Sequence, residues 1–532
     1  MGAQNTLDHY AATDKLKQLA QHPCDLTDPS VLNSQRLEKY TAEACGLKLL
    51  YGTERVTEEV LAALSELAQQ SQALEHMKNM QDGEEINKIE GYPSENRRVL
   101  HTAVRDFFDH PRAAPAALKA TQEAGEEIEK LKRFIQKLDQ KNNFSDLVMI
   151  GIGGSDLGPR AHYIALEHLK KSHRRVHFIS NVDPDDAAAI FKDLDLSRTL
   201  VVCVSKSGTT LETLTNEEIA RSYFINAKLK TQEHFIAVTG KGSRMDDPKK
   251  YLESFYIWDW IGGRYSTTSM VGGVMLAFAF GFEVFWDLLR GAHEMDLAAL
   301  EPEISRNLPL LGALLGIWNR NFLGYPTLAI IPYSQALLRF PAHIQQLDME
   351  SNGKQISRWG QRVDFQTGPV IWGEPGTNAQ HSFFQLIHQG TAIIPLEFIG
   401  FKESQYQKDL LYQGTTSQEK LLSNLFAQAI GLAAGQKNID NPNQNFPGNR
   451  PSHIILGRQL TPKILGSLLA YFEHKVAFEG FIWGINSFDQ EGVQLGKVLA
   501  NKIISQFANI RSQGKPSEFP LGEVLIKQLE TL

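Results

Sequence analysis

Leu147 to Ala161, LVMIGIGGSDLGPRA, joins an apolar run to a glycine-rich turn and then to the start of a helix. Leu147, Val148, Met149, Ile150 and Ile152 have the composition of a buried strand, and Gly151, Gly153 and Gly154 let the backbone turn with only N–H groups facing outward. Ser155 and Asp156 bring a hydroxyl and a carboxylate to the helix entrance, where unpaired N–H groups and the helix dipole favour a bound phosphate. A tight strand-to-helix turn with no ligand has the same signature, so this loop alone leaves both readings open. A second loop narrows them. Arg198–Val204 (RTLVVCV) is another apolar strand, and Ser205-Lys206-Ser207-Gly208-Thr209-Thr210 follows it before the helical stretch LETLTNEEIA. Hydroxyls and an ammonium packed together where a strand hands over to a helix suit a phosphate: backbone N–H groups form a nest, Ser205, Ser207 and Thr210 donate, and Lys206 adds a point charge.

Outward from these loops, strands alternate with helices between 145 and about 285, at 147–152, 175–180, 199–204, 234–240 and 254–260. Such alternation predicts an α/β domain with a parallel sheet covered on both faces. A second alternating region follows helical residues 283–322, with strands at 326–333, 369–374 and 392–400, a helix over 336–350 and another over 419–435. Residues 436–452, rich in Asn, Pro and Gly, read as a long loop, and helices continue from there through Lys527. Residues 1–142 read as mostly helical; in Glu123–Lys141 the apolar stripe is Ile128, Leu131, Phe134, Ile135 and Leu138. The stretch beyond Gly514 reads as a tail that needs a surface to cover it.

With 532 residues the chain exceeds what one core can organise and should form two or three domains. A net charge of -7 without a basic stripe argues against a nucleic-acid partner, so an anionic ligand needs locally concentrated positive charge. Cys24, Cys45 and Cys203 have neither metal nor disulfide spacing, which suits a reducing cytoplasm. The polar start MGAQNTLDHY carries no signal-peptide pattern, and the longest apolar stretch, Met270–Phe282, is too short and too glycine-broken to span a membrane. Met1–Thr6 fits a loose N-myristoylation pattern, but no polybasic segment follows it.

Four further residues stand at element ends. Glu350 closes a predicted helix at an Asn-Gly turn, where side chains commonly project into sites. Arg264 follows Gly262-Gly263, a pair that permits close backbone approach to a ligand. His381 falls in the first turn of a predicted helix, where the dipole would keep an imidazole neutral, and Lys497 lies beside glycines at another helix start. Taken singly, each is more often an ordinary solvated surface residue than a site residue.

In this order GIGGSDLGP, SKSGTT, DWIGGRYSTTS, QQLDMESNGK, GTNAQHSF and FDQEGVQLGK resemble the phosphoglucose isomerase family, over most of residues 50 to 510. The resemblance implies two sugar-isomerase-type three-layer αβα domains with central, mainly parallel sheets. It divides the chain into a helical N-terminal part of the large domain (1–115), a small phosphate-binding domain (116–285), the large domain (286–510) and a C-terminal arm (511–532). It implies an aldose–ketose isomerase acting on a sugar phosphate without metal or cofactor. In it Glu350 is the base, His381 with Lys497 opens the ring, and Arg264 steadies an enediolate. Gly154, Ser155, Ser205, Lys206, Ser207 and Thr210 hold the phosphate, while Gln346 and Gln490 order the site. It further implies a homodimer whose partner chain supplies His381. Two departures stand out: Ser207-Gly208 where relatives often carry Thr and an aromatic residue, and Glu491 where many have Trp. A nucleotide-dependent oxidoreductase fits less well, because Asp156 breaks G-x-G-x-x-G and the strand at 175–180 ends in Ser180-Asn181 with no acidic ribose ligand. A non-catalytic sugar-phosphate sensor would keep the loops but have no need of Glu350, His381 and Lys497.

Overall fold

The computed structural model describes residues 5–512, 519–529 and 531–532; Gly2, on which the acylation pattern turns, lies outside them. The described strands are β1 (Thr41–Ala44), β2 (Leu47–Leu50), β3 (Asp146–Ile150), β4 (Arg175–Ile179), β5 (Thr199–Ser205), β6 (Phe235–Thr239), β7 (Glu253–Tyr256), β8 (Thr327–Pro332), β9 (Val370–Trp372), β10 (Leu396–Glu403) and β11 (Ser452–Gln459). Every residue of β3 and of β5 is buried, as a strand covered on both faces requires.

β3 to β7 form an all-parallel sheet in the order β4-β3-β5-β6-β7. The chain leaves β3 for β4 on one side and returns to β5 on the other, so the loops after β3 and β5 diverge and open a cleft at the carboxyl edge. In the second sheet, β8 to β11 are parallel in the order β9-β8-β10-β11, which repeats the same winding. An antiparallel hairpin, β1-β2, extends it through pairing of β2 with β11. Both alternating regions therefore have the α/β architecture that the sequence predicts.

Two parts depart from the sequence reading. Residues 41–50 are a hairpin within the region read as helical. Its two-residue turn, Cys45-Gly46, has φ of 53° and 74°, the primed geometry that matches strand twist, but Cys in place of Asn or Asp hides the signal. β11 begins where the Asn/Pro-rich loop ends, in a stretch that the sequence pattern assigns to helix. Elsewhere the boundaries shift: the amphipathic helix runs from Pro115 to Lys141, and β7 stops at Tyr256.

The helix Pro462–Trp483 is buried on all sides from Leu465 onward. Thr461 caps it, accepting from the Ile464 N–H at 3.2 Å, and Pro462 occupies the first turn, where no donor is lost. Its ionisable residues must be paired to be buried. Glu473 accepts from Arg105 at 2.7 Å, His474 contacts Asp296 at 2.6 Å, Lys475 donates to Glu397 at 2.6 Å and Glu479 accepts from Asn352 at 3.3 Å.

The chain divides into two compact units, Met1–Ser487 and Phe488–Leu532. The second contains the helices Gln494–Arg511 and Pro520–Leu529, on which Leu495, Leu521, Val524, Leu525 and Leu529 are exposed. Among the described residues no helix is long and apolar enough to cross a membrane.

Candidate active site

The loop after β3 turns at Gly153 (φ 59°) through a short 3-10 segment, Gly153–Ser155, into the helix Leu157–Ala165. Gly154 is buried so closely against the turn before Arg264 that a Cβ there would collide with the Gly263 carbonyl. The approach is backbone to backbone and needs the glycine at 154; a Cβ on Gly263 would meet nothing within 4 Å. Asp156 was expected at the helix entrance as a carboxylate beside the anion cradle. Its carboxylate is instead buried and paired with Arg160 at 2.7 Å, and burial holds its pKa up. The paired carboxylate therefore faces a cation of its own helix.

After β5, Gly208 takes φ 66°, the left-handed conformation the tight loop needs. The Ser205 and Thr210 hydroxyls lie 2.9 Å apart, and Ser207 accepts from the Thr209 N–H and hydroxyl. Thr210 precedes the helix Leu211–Asn226 without capping it through its side chain, so the helix N–H groups keep their outward capacity. The Lys206 ammonium donates to the Ile261 carbonyl at 2.9 Å, which ties this loop to the segment leading into Arg264. Burial, reinforced by Arg97, lowers the Lys206 pKa, an effect that an anion bound beside the ammonium would oppose.

Glu350 lies in the last turn of the helix Phe340–Asn352, with its side chain one-quarter exposed. One carboxylate oxygen accepts from Arg264 at 2.8 Å and the other from Gln346 Nε2 at 3.0 Å. Gln346, one turn earlier on the same helix face, also reaches the β3 loop: a Cβ on Gly153 would lie 3.2 Å from its Nε2. Its Oε1 is buried and unpartnered. The Arg264 guanidinium is 1% exposed and is gripped on three sides, donating through Nε to Ser351 Oγ at 2.6 Å, through Nη1 to Glu350 and through Nη2 to the Ser487 carbonyl at 2.6 Å. Tyr265 shares Ser351 Oγ at 3.0 Å, and Ser487 donates to Asn352 at 2.7 Å. Ser351 and Ser487 were missed in the sequence. Each stands next to a recognised motif residue or motif, but nothing in a lone serine announces a contact with an arginine 87 or 223 residues away.

His381 ends a short 3-10 segment, Asn378–His381, and the α-helix Phe384–Gln389 begins only three residues later. The expected helix-dipole effect on this imidazole therefore has no basis in the local geometry. The side chain is exposed, and among the described residues no hydrogen bond or ion pair joins it to Glu350 or Arg264. Its neighbour Gln380 donates to the Tyr333 hydroxyl at 2.6 Å. Gln490 and Lys497 belong to the second unit: Gln490 precedes the 3-10 segment Glu491–Val493, and Lys497 is exposed in the first turn of Gln494–Arg511. No cluster of three or more potential metal-ligating side chains occurs among the described residues.

A carboxylate held by an arginine and a glutamine, facing a glycine turn that is tied to a hydroxyl-rich loop, can take a proton from a carbon acid while an anionic group is held nearby. Comparison with known proteins gives the same direction. The profile of the phosphoglucose isomerase family matches residues 50–518. The chain is 63% identical over 523 residues to a glucose-6-phosphate isomerase of Protochlamydia amoebophila, covering 98% of this chain and 97% of that protein. It is 52% identical over 504 residues to one of Chlamydia caviae, covering 95% of each. The crystal structure of a glucose-6-phosphate isomerase from Chlamydia trachomatis superposes with a TM-score of 0.94 at 49% identity, over 99% of this chain and all of that one. With a family match over most of its length, relatives of this identity and the same fold, the chain belongs to the phosphoglucose isomerase family.

Proposed function

We propose that Glu350 is the general base of this chain, that Arg264 carries the developing enediolate charge, and that the loops after β3 and β5 hold the substrate phosphate. The chain is an aldose–ketose isomerase that interconverts glucose 6-phosphate and fructose 6-phosphate. After ring opening, the C2–H bond of the aldose breaks as the base takes the proton. The electron pair forms the C1–C2 double bond of an enediolate, the hydroxyl proton passes from O2 to O1, and the proton on the base returns to C1. The same steps in reverse regenerate the aldose, so one carboxylate serves both directions. The observation that supports these roles is the meeting of Arg264 and Glu350 at 2.8 Å beside Gln346 and Gly153, on a buried framework that fixes the guanidinium.

Gly154, Ser155, Ser205, Lys206, Ser207 and Thr210 are the proposed phosphate contacts; Gln346 and Gln490 orient the sugar, and His381 with Lys497 moves the ring-oxygen proton. Each step is acid–base chemistry, and we assign no metal or cofactor to it. Among the described residues His381 lies exposed with no bond to Glu350, which supports a homodimer in which each site takes this histidine from the partner; we read the protein as cytoplasmic. The exposed apolar side chains of the second unit supply surface for such an association. We also read the segments 1–115, 116–285, 286–510 and 511–532 as the N-terminal part of the large domain, the small domain, the large domain and the arm.

A coupled assay on fructose 6-phosphate tests the activity, and subunit mixing tests the shared site. Glu350→Gln and His381→Ala chains, each inactive alone, regain activity when mixed, one competent site per mixed dimer. Mixtures that form heterodimers yet stay inactive refute the shared site.

A further inference from the structure

We propose that the cleft at the carboxyl end of the second sheet binds an uncharged, polyhydroxylated ligand of hexose size. β8 and β10 lie side by side while the chain leaves them toward opposite sides, the winding that places ligands in α/β sheets and the one the first sheet uses for its phosphate loops. A cavity of about 480 Å³ opens there, within the range of small-molecule sites. Each of these strands ends in a Ser-Gln pair, Ser334-Gln335 after β8 and Ser404-Gln405 after β10, and all four residues line the cavity.

The polar groups are of both kinds. Tyr333 is fully buried and accepts from Gln380, so its hydroxyl proton remains to be donated; among the described residues it has no acceptor. Gln405 spends both amide hydrogens on the carbonyls of Ala165 (2.8 Å) and Leu460 (2.9 Å), which fixes its side-chain oxygen as an acceptor. His168 Nδ1 is buried with no partner, and burial lowers the pKa of this imidazole, leaving it neutral. Phe401 and Leu460 supply an apolar floor, and Tyr406, 66% exposed, stands edge-on to His168 at 5.9 Å as an aromatic wall. Alternating donors and acceptors beside an aromatic ring match the hydroxyls and C–H face of a sugar or polyol.

Charge sets this cleft apart from the phosphate loops. Among the described residues no Lys or Arg lines it, and its two carboxylates are already paired, Glu167 with Lys170 at 2.8 Å and Glu403 with Arg458 at 2.9 Å. A phosphate would find no glycine nest there, and the two cations at the rim, Lys170 and Arg458, are already taken by carboxylates. Occupancy is independent of the catalytic roles proposed above, although Tyr333 lines the cleft and bonds Gln380, the residue next to His381.

Saturation-transfer NMR for sorbitol and, separately, phosphorus NMR line broadening for inorganic phosphate test the site on the full chain. The expected result is sorbitol signal that persists when an equilibrium mixture of the two hexose phosphates saturates the first site, and phosphate signal that does not. Tyr406→Ala, a change on an exposed ring outside the catalytic cluster, should weaken sorbitol binding roughly tenfold and leave kcat/KM on fructose 6-phosphate within about twofold. Sorbitol signal abolished by the hexose phosphates would assign the binding to the first site and overturn the proposal. So would absent signal, unaltered binding in Tyr406→Ala, or a sedimentation shift in that variant, which would make the cleft an interface between copies.

Discussion

At the scale of single residues, the site turns on how little freedom Arg264 has. Ser351, Glu350 and the Ser487 carbonyl hold its three nitrogens, so the proposed stabilisation of an enediolate would need no reorganisation. Removing the Ser351 hydroxyl takes away the acceptor that the buried Arg264 Nε–H uses. Ser351→Ala should therefore cost roughly 1–3 kcal/mol of transition-state stabilisation, read as a fall in kcat with KM little changed. A variant that raises only KM would show that Ser351 serves binding instead. Glu350→Gln keeps the shape but removes basicity and turns one of the two acceptors into a donor, so turnover should fall at least roughly hundredfold. Affinity for a sugar-phosphate inhibitor should stay close to wild type, measured by calorimetry, because the proposed phosphate loops are untouched.

At the scale of elements, the two loops do different things. The β5 loop carries its own hydroxyls and Lys206, so Lys206→Met should raise the inhibitor dissociation constant by the roughly 1.5–3 kcal/mol of a charge-assisted bond, with a smaller effect on kcat. Unchanged inhibitor affinity would remove Lys206 from the phosphate site. The β3 loop works through its backbone. Gly154→Ala would drive a methyl group into the Gly263 carbonyl and displace the turn that carries Arg264, so it should lower kcat and raise KM together. Loops of this kind were legible in the sequence because the residues that shape them are contiguous. The hairpin β1-β2 was not, since four-residue strands and a Cys-Gly turn carry little pattern, and β2 is held by β11 some four hundred positions later.

For the whole molecule, the buried helix Pro462–Trp483 links the site to an ionic cluster far from solvent. Glu479 accepts from Asn352, which holds Ser487, whose carbonyl holds Arg264; Lys475 on the same helix pairs with Glu397. Burial works against a charged His453, yet Glu397 at 3.3 Å and Glu54 at 2.8 Å outweigh it and raise the imidazole to about 9. Burial likewise opposes ionisation of Glu397, and Lys475 and His453 nevertheless bring its carboxyl down to about 2. A folded-state pKa raised in this way stabilises fully below about 6.5, the unfolded value, and that contribution is lost as pH rises through about 9. It amounts to something on the order of 3 kcal/mol. The depressed Glu397 acts in the opposite window, being lost as pH falls from the unfolded carboxyl range toward about 2. Calorimetric Tm should therefore decline between pH 6.5 and 9, and His453→Gln should flatten that decline. An unchanged slope in the variant would place the dependence elsewhere.

The sequence by itself determined the two strand-loop-helix turns and the α/β alternation, and it singled out Arg264 and Glu350, which the fold brings together. These are local properties, written in glycine placement, hydroxyl density and apolar runs a few residues long. Tertiary structure alone decided that Gly154 meets Gly263, that Asp156 is taken up by Arg160, and that Arg264 is gripped by Glu350, Ser351 and Ser487. Apart from the Asp156–Arg160 pair, these contacts join residues from 86 to 223 positions apart. They form only when the winding of the first sheet, the helix Phe340–Asn352 and the all-buried helix Pro462–Trp483 pack around one another, and no short-range pattern in the chain records that packing.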